Sequence, residues 1–196
     1  MNDKEFSSQF QSLLVPQSEV ICSPKKNLTG CLRIAKDIVA DLYNAIQKWN
    51  DSHIRGAQCV KQIAILKSDN RELTTQLEDY LNSLYIIVQN LRCLEEQFAL
   101  FKSQIRALEK IEKKSENIFL SLNVLGLAKL IESIVDAYRE EFKVKEVILE
   151  NIAHSKNKHE VMFYATCWTL QANITSDTNF KLELILLETG HLKICT

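Results

Sequence analysis

From Leu73 to Leu108 the apolar positions fall on one heptad seam: Leu73, Leu77, Tyr80, Leu84, Ile87, Leu91, Leu94, Phe98, Phe101, Ile105 and Leu108, in alternating steps of four and three. A 3.5-residue repeat held this long keeps an apolar stripe turned toward a partner helix. At about 1.5 Å per residue it makes a rod roughly 50 Å long. A chain of 196 residues cannot bury such a rod without other long helices beside it. The pattern predicts a protein that pairs helices, not one that encloses a substrate.

The flanking pattern adds further helices. Met1 to Leu28 is polar, holds both prolines and keeps no periodicity, so residues 1–28 read as a disordered arm. A first long helix opens near Thr29 or Gly30 with the stripe Ala35, Ile38, Leu42, Ala45, Trp49. The stripe weakens through Ser52 and Gly56, which reads as a kink or frayed joint, and resumes at Cys59, Ile63 and Leu66. Asp69 and Glu72 have the spacing of a capping box, favouring a fresh helix start. The heptad register also runs straight through this point, so one continuous helix is the rival reading. The break is preferred because a hairpin lets the two stripes bury each other. Whether the seam pairs within the chain, with a second copy or with another protein stays open. After a loop from Ser115, helices are expected over about Val124–His154, His159–Gln171 and Asp177–Thr189, with Gly190 as a left-handed cap. The expected fold is all-α: an elongated antiparallel helical hairpin or coiled coil over 29–114, with a small C-terminal helical unit over 124–191 packing on it.

Composition agrees. Four glycines and two prolines leave little punctuation for strands. The net charge of −1 points to neither nucleic acid nor an anionic membrane. No apolar run reaches membrane-spanning length and no signal segment opens the chain, so a soluble intracellular protein is expected. Six scattered cysteines, none with zinc-like spacing, are expected as free thiols.

Candidate chemistry is thin. Glu188-Thr189-Gly190-His191 has the Glu-x-x-His form of half a di-iron site, but no second copy exists and Gly190 would end the helix between the ligands. His154 and His159 are five apart, not the four of a helical zinc pair. No phosphate loop or nucleophile motif is present, and Lys and Arg are mixed with Asp and Glu. No enzyme, cofactor, metal or direct nucleic-acid binding is expected. Two segments carry more. Ser23-Pro24-Lys25-Lys26 has the form that proline-directed cyclin-dependent kinases accept, making Ser23 a candidate phosphosite where about two negative charges would be added. The apolar crowd Leu182, Leu184, Ile185, Leu186 and Leu187 either closes a core or docks into a partner groove.

Several blocks also resemble one family. Glu183 followed by Leu186-Leu187-Glu188-Thr189-Gly190-His191 looks like the C-terminal signature of the cyclin-dependent kinase 2-interacting protein family. Lys36-Asp37, Ala40-Asp41, Asn44, Ile46 and Lys48-Trp49 resemble its N-terminal helix. Tyr138-Arg139, Glu141, Lys145 and Ala153-His154 resemble its third, and the Trp168 helix is similar too. The polar insert that family members carry near position 70 is absent. The resemblance implies a non-enzymatic adaptor in the nucleus, with the cytoplasm left open. Its implied partners are cyclin-dependent and replication kinases and an AAA+ ATPase assembly with a second small helical protein. The implied settings are large-ribosomal-subunit maturation, DNA replication and its damage checkpoint. Trp49, Leu186, Leu187, Glu188 and His191 become the partner-binding candidates. The rival reading is a structural coiled-coil subunit of a kinetochore or tethering complex.

Overall fold

A computed structural model describes residues 30–68, 75–112 and 117–192. The N-terminal arm with Ser23, and Leu73 of the seam, lie outside the described residues. Within them the chain forms α1 (Cys31–Ser68), α2 (Thr75–Ile111), α3 (Val124–Ile152), α4 (Lys158–Leu170) and α5 (Ser176–Glu188).

Helices α1, α2 and α3 form a long antiparallel bundle. The seam pairs in cis. Leu77, Leu84, Ile87, Leu91, Leu94, Phe98, Ile105 and Leu108 are buried, while Tyr80 and Phe101 are half-buried at its edge. At the centre, one aromatic ring from each rod meets the others. Trp49 of α1 stands edge-on to Tyr138 of α3 with centroids 5.2 Å apart, and Phe98 of α2 lies 5.1 Å from Tyr138 and 6.0 Å from Trp49. Such pairs add about 0.5–1.5 kcal/mol each beyond the area they bury.

Charge fixes how α2 and α3 align. Arg106 pairs with Glu132, Lys102 with Asp136 (2.8 Å), Arg139 with Glu95 (2.9 Å) and Arg92 with Glu146 (2.6 Å). Partner numbers rise on one helix as they fall on the other, the mark of an antiparallel pair. Exposed bridges contribute little stability each, but a slip of one turn would unpair all four. Lys67, near the end of α1, donates from Nζ to the Ala153 and Ser155 carbonyls at 2.6 and 2.9 Å. A cation there satisfies carbonyls that the C-terminus of α3 leaves without helical partners.

The structure corrects one local expectation. No joint interrupts α1 at Asp51–Gly56; the helix is continuous from Cys31 to Ser68. Ser52 and His53 are buried although polar. The gap in the apolar stripe is a seat: the indole of Trp168 in α4 lies on Gly56, and a Cβ built there would fall 2.7 Å from Trp168 Cε2. Helix α4 thus rests on α1 and α3, and α5 rests on α3 and on the N-terminal half of α1.

Candidate functional site

The most concentrated polar arrangement is buried where α1, α3 and α4 meet. Glu141 and Lys145, four residues apart on α3, have no exposed surface. Lys145 Nζ donates to the Trp168 carbonyl at 2.6 Å, lies 2.9 Å from Glu141 Oε1 and sits 4.6 Å from the Trp168 ring centroid. Glu141 Oε2 accepts from both the backbone N–H and the Nδ2 of Asn173 at 3.2 Å. One ion pair on α3 therefore grips both the last turn of α4 and the turn that follows. Trp168 Nε1 donates to the His53 carbonyl at 3.1 Å, and its ring stacks on the His53 imidazole at an interplanar angle of 7°. Trp49 Nε1 donates to Gln171 Oε1 at 3.1 Å. That bond holds Gln171 at φ 44°, a left-handed conformation that a non-glycine residue adopts only when its surroundings enforce it.

Burial sets the protonation states here. It pushes the Lys145 pKa down to about 8, against the opposing pull of Glu141. It drives His53 down to about 3, with the Lys145 charge adding to the effect. His53 is thus neutral at physiological pH, and its Nδ1 has no partner. The Tyr138 hydroxyl is raised, first by burial and then by Glu141. All of these groups are closed off from solvent. The cluster is a structural knot, and no nucleophile faces solvent from it.

The C-terminal signature is likewise built for architecture. Gly190 N–H donates to Leu187 O (3.0 Å) and His191 N–H to Leu186 O (2.9 Å), with Gly190 at φ +76°. These are the two bonds of a Schellman cap, and the positive φ is why glycine stands there. Thr189, fully buried, donates its hydroxyl to Ile185 O at 2.6 Å, so His191 Nδ1, 2.8 Å away, is the donor to Thr189 Oγ1. Glu188 accepts from the Ser121 N–H at 2.9 Å and from its hydroxyl at 2.5 Å. Burial alone would raise the Glu188 carboxyl; the hydrogen bonds from Ser121 and its neighbours outweigh it and hold the pKa below the usual value. Burial lowers His191, helped by Lys36 and opposed by Asp37.

These placements revise the partner-binding candidates. Trp49 and Leu186 are buried and serve packing; neither offers a surface to a partner. Leu187 is half-buried. Glu188 and His191 are engaged within the chain, Glu188 tying the 118–122 loop and His191 the helix cap. Their own hydrogen bonds point them apart, Glu188 to Ser121 and His191 to Thr189. Among the described residues no group of three or more His, Cys, Asp or Glu gathers in a metal-binding arrangement. Nor is any described helix long and apolar enough to cross a membrane. Sequence reasoning missed one surface. Helix α4 buries Val161 and Trp168 yet leaves Met162, Phe163 and Leu170 open to solvent. A short helix apolar on both faces was the available signal.

Known proteins include distant relatives of this chain. No family model matches the chain. Cyclin-dependent kinase 2-interacting protein from Homo sapiens is 24% identical over 86% of this chain and 94% of its own length. The Mus musculus protein is 25% identical over 87% and 95%, and the Xenopus laevis protein 28% over 88% and 96%. The chain is a distant, near-full-length homologue of cyclin-dependent kinase 2-interacting protein. Trp49, Tyr138, Glu141, Lys145 and Trp168, drawn from three separate sequence blocks, converge on one buried junction.

Proposed function

We propose that this protein is a non-enzymatic helical adaptor that binds a cyclin-dependent kinase through its surface and links it to other protein machinery. The observation that carries this reading is near-full-length homology to proteins named for interaction with cyclin-dependent kinase 2. The buried seam supports a surface-reading mode: α1 and α3 already occupy it, so a partner meets exposed residues and not an open heptad. The outward face of α4, with Met162, Phe163 and Leu170, is the surface assigned to the kinase. The wider role joins a AAA+ ATPase assembly with a second small helical protein. It would act in the nucleus, in ribosome maturation and in replication under checkpoint control, with Ser23 phosphorylated by the bound kinase.

Purified kinase tests the core of this reading. Immobilised full-length protein should retain cyclin-dependent kinase 2, and Phe163→Glu, which changes an exposed side chain, should abolish retention while leaving the melting temperature unchanged. Retention by neither protein, with both folded, refutes the kinase reading. Co-purification of an AAA+ ATPase with the tagged chain, or its absence, decides the wider role separately.

A further inference from the structure

Four residues of α1, Lys48, Asp51, Ser52 and Arg55, stand at i, i+3, i+4 and i+7 and so share one helix face. With Asn90, Cys93 and Leu94 of α2 they line a cavity of about 310 Å³, a groove between the two rods. The contact of Trp49 with Phe98, 6.0 Å between centroids, pins the two helices beside it. Ser52 is the residue that packing leaves without a reason. Gly56 seats the Trp168 indole and His53 stacks on it, whereas Ser52 is 3% exposed and turns to the groove. Its Oγ accepts from Arg55 Nη2 at 3.4 Å, which leaves the hydroxyl hydrogen for a further acceptor. Arg55 Nε donates to the Asp51 carbonyl, also at 3.4 Å. Both bonds are long for their kind, so most of the guanidinium's donor capacity is uncommitted. The contrast with the other flank of α2 is one of charge. There Arg92, Lys102, Arg106 and Arg139 are each paired with a carboxylate. Among the described residues neither Lys48 nor Arg55 enters an ion pair.

We propose that this groove binds the phosphoryl group of a phosphoserine or phosphothreonine side chain on a partner polypeptide. The donors suit that group. A guanidinium fork, an ammonium, a buried hydroxyl and the Asn90 amide line one small space, and a phosphate monoester brings three strong acceptor oxygens and up to two negative charges to meet them. A carboxylate has only two oxygens and one charge to offer. Asp51 is the opposing charge among the lining residues, and two cations against one carboxylate leave the lining net positive. The volume stands at the lower limit for small-molecule sites. Among the described residues no aromatic ring lines the groove, so a nucleotide would find nothing on which to stack its base. A phosphorylated side chain fits, with its own backbone passing over the open mouth between the helices. The site uses none of the α4 side chains, so it stands apart from the apolar face assigned to the kinase.

Titration of isotope-labelled full-length protein with a glycine- and alanine-rich peptide bearing one phosphoserine, followed by NMR, tests the site. Saturable shifts should appear in the amides of 48–55 and 90–94 and in the Asn90 side chain, and the unphosphorylated peptide should produce none. At saturation the phosphopeptide should slow alkylation of the exposed Cys93 thiol by about threefold or more. Lys48→Gln and Arg55→Gln, both at exposed positions, should each weaken binding by about fivefold or more with the melting temperature unchanged. Asp51→Asn should tighten binding by about twofold or more, because it removes the opposing charge. No saturable shift, shifts centred on other residues, or an Asp51→Asn protein that binds more weakly would each overturn the proposal. Inorganic phosphate that binds as tightly as the phosphopeptide would make this a free-anion site and overturn the assignment to a polypeptide.

Discussion

Gly56→Ala sets two physical rules against each other. In an exposed helix interior, alanine is favoured over glycine by about 1 kcal/mol, so propensity alone predicts stabilisation. The structure predicts the opposite. The new Cβ would overlap the Trp168 indole, 2.7 Å from Cε2, and the indole cannot step aside. Its Nε1 is bonded to the His53 carbonyl, its face is stacked on the His53 ring, and Lys145 lies over it. Displacing it forfeits much of the ~3–5 kcal/mol that truncating a buried Trp costs. After the propensity gain, the expected net loss is about 2–4 kcal/mol, a fall in melting temperature of roughly 5–15 °C at this chain length. Thermal melting of two pairs of proteins gives the answer. In the Trp168→Ala background the same Gly56→Ala change should turn stabilising, by up to about 1 kcal/mol, because the ring is gone. A Gly56→Ala protein that melts higher than the wild type would refute the seat.

The ion pair should respond asymmetrically. Lys145→Met leaves Glu141 buried with its charge uncompensated and should cost about 3–5 kcal/mol, whereas Lys145→Met with Glu141→Gln should recover most of that, read by urea denaturation. Neutral His53 stabilises fully above its unfolded pKa near 6.5. Below that the unfolded chain takes a proton the folded one refuses, and stability should fall by ~1.4 kcal/mol per pH unit toward about 3. His53→Phe should flatten that part of the pH–stability profile. Glu188→Ala should cost about 1 kcal/mol after solvent screening, and faster exchange of the 118–122 amides alone would distinguish a lost loop tie from general loosening. Leu91→Asp, an unpaired charge at a fully buried seam position, should cost several kcal/mol; an unchanged circular-dichroism melt would show the seam is not buried.

What sequence could show was set by the range of the interaction. Heptad spacing marks a buried face whatever covers it, so the seam from Leu77 to Leu108 was readable, as was Gly190 as a cap. The seat at Gly56 was not. Its filler, Trp168, lies 112 positions on, and a small residue waiting for a distant ring looks locally like a weak stretch. Glu141 and Lys145 have the i, i+4 spacing of an ordinary solvated pair, and only the arrival of α4 makes them buried. The tie made by Glu188 was hidden for the same reason: its partner Ser121 stands 67 residues earlier. Within the tail, sequence specificity was legible while its purpose, capping and loop anchoring, came only from geometry.

The length of α1 has a consequence for anything the protein joins. Its 38 residues rise about 57 Å, with α2 packed against it and α4 and α5 resting on it as well. Partners seated at opposite ends would be held apart by nearly twice the ~30 Å width of a small domain, too far to touch and too firmly braced to drift together. The molecule is in effect a gauge block: whatever it connects, it also spaces.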